Sequence, residues 1–264
     1  RWMFSAETSA ELTTAGLDMS AVTPNGDGDD TTHKWSELDA SCPDAEIALA
    51  YPDAASGTYE YFFEAILHEA EQGFRAGQQS ADDNVLVNAL IGDETAIGYF
   101  GYAYFLENQA TLTASPVEND AGNMVTPSAT TVADGTYNPL SRPLFMNLLD
   151  DDASLAKTVP FLEFGFGDGG DLLVNSVGYV ALTAEQQTEM ESRLAGEGGI
   201  DVGDIVCGPD GSISIAGSST VLPLAEAWAE HYQDACAGIS ITVESGGSSS
   251  GAGRVCANSA KGTP

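Results

Sequence analysis

The chain has 264 residues, 43% of them hydrophobic, with 40 acidic against 8 basic side chains and a net charge of −32. That length suits one large domain or two lobes around a proper core. The charge argues against a nucleic-acid partner, whose phosphates need Lys and Arg, and no apolar run approaches the ~20 residues of a membrane-spanning helix. Scarce Lys beside abundant Asp suits a salty milieu, where a Debye length of about 8 Å or less screens self-repulsion. A solvated acidic surface without functional meaning explains the bias at least as well.

In chain order, residues 1–12 read as a helix remnant. Arg1-Trp2-Met3-Phe4 resembles the middle of a helix rather than a basic-then-apolar leader, so the chain is expected to begin inside a longer polypeptide. Residues 13–46 are turn-rich, and "TPNGDGDDTTHKW" invites a calcium-loop reading. Counting from Asp27, however, the twelfth position is Leu38 where the template needs Glu, so an acidic solvated loop fits better. From Ile47, "IALAYPDAASGTYEYFFEAIL" reads as strand, Ser-Gly-Thr turn and helix, with Tyr59, Phe62, Phe63, Ile66 and Leu67 on one helical face. Next come "DDNVLVNALIG" (helix), "AIGYFGYAYF" (buried strand and turn), and "TLTASPV" and "YNPLSRPLFMNL" (strands). "LAKTVPFLEFGF", "GGDLLVNSVGY" and "TAEQQTEMESRL" follow as helices, the last capped by Thr183.

The Gly/Asp-rich "AGEGGIDVGDIVCGPDGS" is the best linker candidate. Beyond it the strand–turn–helix pattern returns in "ISIAGSSTVLPLAEAW", with Val221, Leu224, Trp228 and Tyr232 at helical spacing. Finally "ISITV" leads into the Ser/Gly run "ESGGSSSGAGR", whose place after a strand and before "RVCANSA" favours a structured turn over a flexible linker.

Each strand–turn–helix unit sets hydroxyls and small residues where backbone N–H groups at a helix start lack partners, and such a terminus attracts anions. One such turn is often only a cap, but three donor-rich turns in one chain could converge on a tetrahedral oxyanion. Local dipoles suffice for this even on an acidic protein. No nucleophile with a His partner, GxSxG or P-loop occurs, so binding is favoured over catalysis and no catalytic residue is assigned. The isolated His33, His68 and His231 give no metal-site spacing, and neither a metal nor another cofactor is expected. Cys42, Cys207, Cys236 and Cys256 lack CxxC spacing, and an even count favours disulfides in an oxidising compartment.

Taken together, "IAGSSTVLPLAEAWAEHY", "ISITVESGGSSSGAGR", "SGTYEYFFEA", "DDNVLVNAL", "IGYFGYAY" and "YNPLSRPLF" resemble the periplasmic phosphate-binding proteins of ABC phosphate-uptake systems, the PstS type. The resemblance implies an α/β fold of two lobes, mixed sheets flanked by helices, closing around inorganic phosphate. It further implies donors from Ser218, Ser219, Thr220 and Val221 in one turn, Ser250 in the Ser/Gly run, and Ser56, Gly57 and Thr58 in the other lobe. Two departures stand out. Many members carry Arg four residues before the Ser of the SGT motif, where this chain has Pro52, and Arg254 is not counted on to replace it. The family's proton-accepting Asp follows the Ser/Gly run and would fall beyond Pro264, so residues 1–264 alone are expected to bind phosphate poorly. The implied fold also sets "SISIAG" and "ISITV" side by side and parallel, so Cys207 and Cys236, just ahead of them, are expected to form a disulfide. Cys42 and Cys256 fall one in each lobe, where a bridge would lock the hinge.

In the family the GSST unit comes first, whereas here it comes late. Circular permutation or a cut through a tandem array explains the order, the array fitting better. The expected organisation is a second lobe at 1–112 lacking its opening segment, first-lobe parts at 113–197 and 212–264, and a linker at 198–211. The strand at 213–217 is expected to pair with "YNPLSRPLFMNL" and its neighbours. The leading reading is non-catalytic phosphate binding outside the cytoplasm (periplasm, envelope or extracellular), with an ABC permease and neighbouring repeats or copies as further partners. A structural or adhesive array of such repeats is the alternative, and a phosphatase is disfavoured.

Overall fold

Parallel strands organise both halves of the computed structural model, which describes residues 1–23, 32–149, 151–195 and 205–258. The centre of the acidic loop (24–31) and the first part of the linker (198–204) lie outside the described residues. The chain divides into two units, residues 1–101 with 108–112, and residues 102–107 with 113–264.

In the first unit, Thr8 accepts from the Glu11 amide while Glu11 accepts from the Thr8 amide, a reciprocal cap that starts α1 (Ser9–Thr14). The expected helix over 1–12 therefore begins only at Ser9. Ahead of it the Ser5 amide donates to the Arg1 carbonyl at 2.9 Å, and Ser5 forms an antiparallel bridge to Phe74. The central strand β1 (Ala48–Pro52) carries α2 (Gly57–Phe62), which runs on as a π-turn through Leu67. β2 (Gln78–Ser80), α3 (Asp83–Gly92) and β3 (Ala96–Gly98) follow, giving a parallel sheet in the order β2-β1-β3. Leu49, Ala50 and Tyr51 of β1 are buried in succession, as a central parallel strand requires.

Rings from distant parts of this unit pack on that strand: Phe62 stacks on Tyr99 at 3.9 Å, Tyr51 on Phe74 at 4.9 Å, and Phe4 meets Phe62 edge-on at 5.1 Å. The Tyr51 hydroxyl donates to the Arg75 carbonyl at 2.6 Å, whereas the buried Tyr99 hydroxyl has no hydrogen-bond partner. Burial pushes the Tyr99 phenol well above its ordinary range, so it stays neutral.

The stretch "AIGYFGYAYF" departs from the expected strand and turn. Only Ala96–Gly98 is strand; Gly101 then caps α4 (Tyr102–Asn108). A short aromatic run has no period that separates strand from helix, and the two glycines punctuate it. Residues 102–107 of α4 belong to the second unit.

In the second unit β4 (Val117–Glu118) pairs antiparallel with β5 (Met124–Val125), and α5 (Ala129–Ala133) follows. The strand expected over "YNPLSRPLFMNL" is absent: residues 137–148 form turns and irregular chain. Pro139 and Pro143 cannot donate to a strand ladder, which accounts for the difference. Helices α6 (Asp152–Phe166), α7 (Asp168–Ser176) and α8 (Ala184–Ala195) come next. Thr183 caps α8: its hydroxyl accepts from the Gln186 amide at 3.3 Å while Gln186 accepts from the Thr183 amide at 2.9 Å.

β6 (Gly211–Gly217) leads to α9 (Leu222–Ala235), and β7 (Ile239–Ser245) to α10 (Ser248–Asn258). β6 and β7 pair in parallel from Gly211 opposite Ile239 to Gly217 opposite Ser245. The strand at 213–217 thus takes β7 as its partner, not 137–148. Its core is closed by helices instead: Leu224, Trp228 and Tyr232 of α9 pack with Phe161 and Leu162 of α6, Val174 of α7, and Ile213 and Ile241 of the strands. Each such side chain contributes roughly 1.5–3 kcal/mol on burial. A disulfide joins Cys207 and Cys236, Cα atoms 5.6 Å apart, just ahead of β6 and β7, while Cys42 and Cys256 are unpaired thiols.

Candidate functional site

Parallel strands in register end together, so the turns that follow them crowd one edge, where ligands of open α/β sheets bind. In the second unit that edge holds the turn 218–221 after β6 and the turn 246–247 after β7. The start of α10 presses on the end of β6: a methyl group at Gly251 would lie 2.5 Å from the Ala216 carbonyl oxygen and 2.9 Å from the Gly217 Cα. Only glycine allows that approach of α10 to the end of β6. Gly247 adopts φ of 80°, a left-handed conformation that turns the chain out of β7 and into α10.

Within the first turn the Ser218 carbonyl accepts from the Val221 amide at 3.1 Å, and the Ser219 carbonyl from the Leu222 amide at 3.2 Å. The Ser219 carbonyl also accepts from the Tyr104 hydroxyl at 3.0 Å, and the Thr220 carbonyl accepts from the Tyr179 hydroxyl. Ser219 is buried, and the Ser218 hydroxyl is buried without a hydrogen-bond partner. An unsatisfied buried hydroxyl costs free energy and so points to a missing partner. Of the donors expected here, the Val221 amide is already engaged with Ser218, and a ligand would have to share or displace that bond.

The first unit builds its own turn after β1. The Asp53 carboxylate accepts from the Ala55 amide at 2.9 Å, and the Asp53 carbonyl accepts from the Ser56 amide at 3.0 Å. Ser56 is buried and caps α2, its hydroxyl oxygen accepting from the Thr58 amide at 3.2 Å. One lone pair is thereby used, leaving the hydroxyl proton to be directed elsewhere. Gly57 and Thr58 form the first turn of α2. Pro52 is the last residue of β1, so no cation stands there, and Arg254 is ion-paired with Glu244.

Sequence reasoning did not find Tyr104 or Tyr179. They reach the turn from 115 and 41 residues away, and a phenol donating to a backbone carbonyl leaves no local pattern. Among the described residues no group of three or more His, Cys, Asp and Glu side chains is arranged to hold a metal ion. Nor is any helix among them long and apolar enough to cross a membrane.

Comparison with known proteins adds an independent finding. The model of the PBP superfamily domain matches residues 22–166 and 182–261. Protein SphX of Synechococcus elongatus is 37% identical over 169 residues, covering 64% of this chain and 49% of that protein. The Phosphate-binding protein PstS of Staphylococcus saprophyticus is 32% identical over 164 residues, covering 61% of this chain and 49% of that protein. The chain thus spans about half the length of these curated relatives. A solved structure described as a possible phosphate binding protein from Planctomyces limnophilus is 35% identical, covering 62% of this chain and 58% of that one with a TM-score of 0.47.

Proposed function

The chain belongs to the PBP superfamily, and on that premise we propose that it is a substrate-binding module that holds inorganic phosphate without transforming it. The observation that carries this reading is the shared edge of β6 and β7. There the Ser218–Val221 turn leads into α9 and Ser250 lies in the first turn of α10, and the buried Ser218 hydroxyl lacks a partner. Helix N-termini and oriented amides hold an oxyanion by local dipoles, so the net charge of −32 does not forbid it.

Ser56, Gly57 and Thr58 are further proposed ligands, and the two units are taken as the two lobes of the module. The name Phosphate-binding protein PstS, borne by a relative, supports phosphate as the anion. An extracytoplasmic location follows from this reading, and the Cys207–Cys236 disulfide supports it. An ABC permease that receives the phosphate is the proposed partner. A structural or adhesive array is not favoured, because the relatives include named binding proteins.

Calorimetric titration with phosphate into the millimolar range tests the proposal. Heat of binding is expected, and Thr220→Ala or Thr58→Ala should weaken affinity about ten- to a hundredfold, the loss of a hydrogen bond to a charged group worth ~1.5–3 kcal/mol. No heat with phosphate, or variants that bind like the parent, would defeat it.

A further inference from the structure

We infer that Tyr104 and Tyr179 are positioning residues that clamp the Ser218–Val221 turn in its anion-receiving conformation. The inference rests on the phosphate reading for its ligand, although the clamp itself is a matter of backbone geometry.

A trans peptide unit is planar, with its carbonyl oxygen and amide hydrogen on opposite sides. Fixing the carbonyl of one residue therefore aims the amide of the next in the opposite direction. The Tyr104 hydroxyl holds the Ser219 carbonyl at 3.0 Å and so orients the Thr220 amide. The Tyr179 hydroxyl holds the Thr220 carbonyl and so orients the Val221 amide. Of the two remaining carbonyls of the turn, that of Ser218 is held by the Val221 amide at 3.1 Å and that of Val221 by the Ala225 amide at 3.0 Å. All four carbonyls are thus drawn to internal donors, which keeps their negative ends from an approaching anion.

The two tyrosines come from separate elements. Tyr104 is buried within α4, and Tyr179 follows α7 at Gly178, where φ is 80°. A methyl group at Gly178 would lie 3.2 Å from the Ala103 Cα, so the two tyrosine-bearing segments pack against each other. Preorganisation of this kind raises affinity by ordering the donors before the ligand arrives.

Tyr104→Phe and Tyr179→Phe, alone and together, delete only the hydroxyls. In the ligand-free protein, the Val221 and Leu222 amides should exchange with solvent at least several-fold faster in each variant, relative to amides of the β6–β7 ladder. Phosphate affinity of the folded variants should fall about three- to tenfold, as the loss of an ordinary hydrogen bond would produce. A merely structural role would lower the denaturation midpoint while leaving both the relative exchange and the affinity unchanged, and that result would overturn the inference. If the parent chain binds no phosphate, the functional reading fails. The exchange arm then decides alone: acceleration confined to the turn sustains the clamp, and parental exchange rates in both variants refute it.

Discussion

Replacing Cys207 and Cys236 together by Ser is expected to lower the stability of the second unit by about 3–4 kcal/mol. The bridge spans 29 residues, and in the chain-entropy model closing such a loop restrains the unfolded chain by that amount. In the folded state the bridge ties the starts of β6 and β7, whose register then runs unbroken to the edge that carries the proposed site. Cys207 is an exposed residue and Cys236 a buried one. Denaturant unfolding followed by tryptophan fluorescence, with and without reductant, measures the effect. Coincident curves for the parent and the double variant would show that the bridge contributes nothing to stability.

Trp228 carries the second large effect. It is 1% exposed, meets Phe166 edge-on at 5.3 Å and Phe161 at 6.3 Å, and lies over Gly165, where a methyl group would come within 2.4 Å of the indole ring. Trp228→Ala should cost about 3–5 kcal/mol, the usual range for emptying a large aromatic site. That is a large share of the ~5–15 kcal/mol by which a domain is stable. Trp228→Phe should cost far less than its lost volume implies. The indole N–H is buried without a partner, and removing it relieves a desolvation penalty of roughly 1–3 kcal/mol. Chemical denaturation of both variants separates the two contributions; equal losses would mean that the N–H is satisfied after all.

The repeated strand–turn–helix units were legible because the hydrophobic period changes from two to 3.6 across a Gly/Ser/Thr break. That contrast located β1 with α2, and β6 with α9, and the inward face of Leu224, Trp228 and Tyr232 followed from spacing alone. The Cys207–Cys236 pairing came from the implied parallel neighbours, which the β6–β7 register matches. Elsewhere local pattern misled. "YNPLSRPLFMNL" has the apolar content of a strand, but its prolines forgo ladder hydrogen bonds, and residues 152–176 take over the packing as helices. At the start of the chain, Trp2 and Phe4 are apolar because they are buried, not because they lie in a helix.

The residues of the proposed site were chosen from the same kind of local motif. The hydroxyl-bearing residues lie in motifs, and the Gly251 contact sets the start of α10 against Ala216 and Gly217 at the end of β6. What holds the turn from behind was not legible, because the donation of Tyr104 to Ser219 depends on a fold that joins residues 115 positions apart.

The most direct test of the central claim is an amide-resolved NMR titration of this chain with phosphate, with ionic strength matched by sodium chloride. The account predicts saturable shifts concentrated at Ser218–Val221 and Ser248–Gly251, accompanied by Ser56–Thr58. Shifts scattered over the surface that chloride reproduces, or a saturable set centred on other residues, would contradict it.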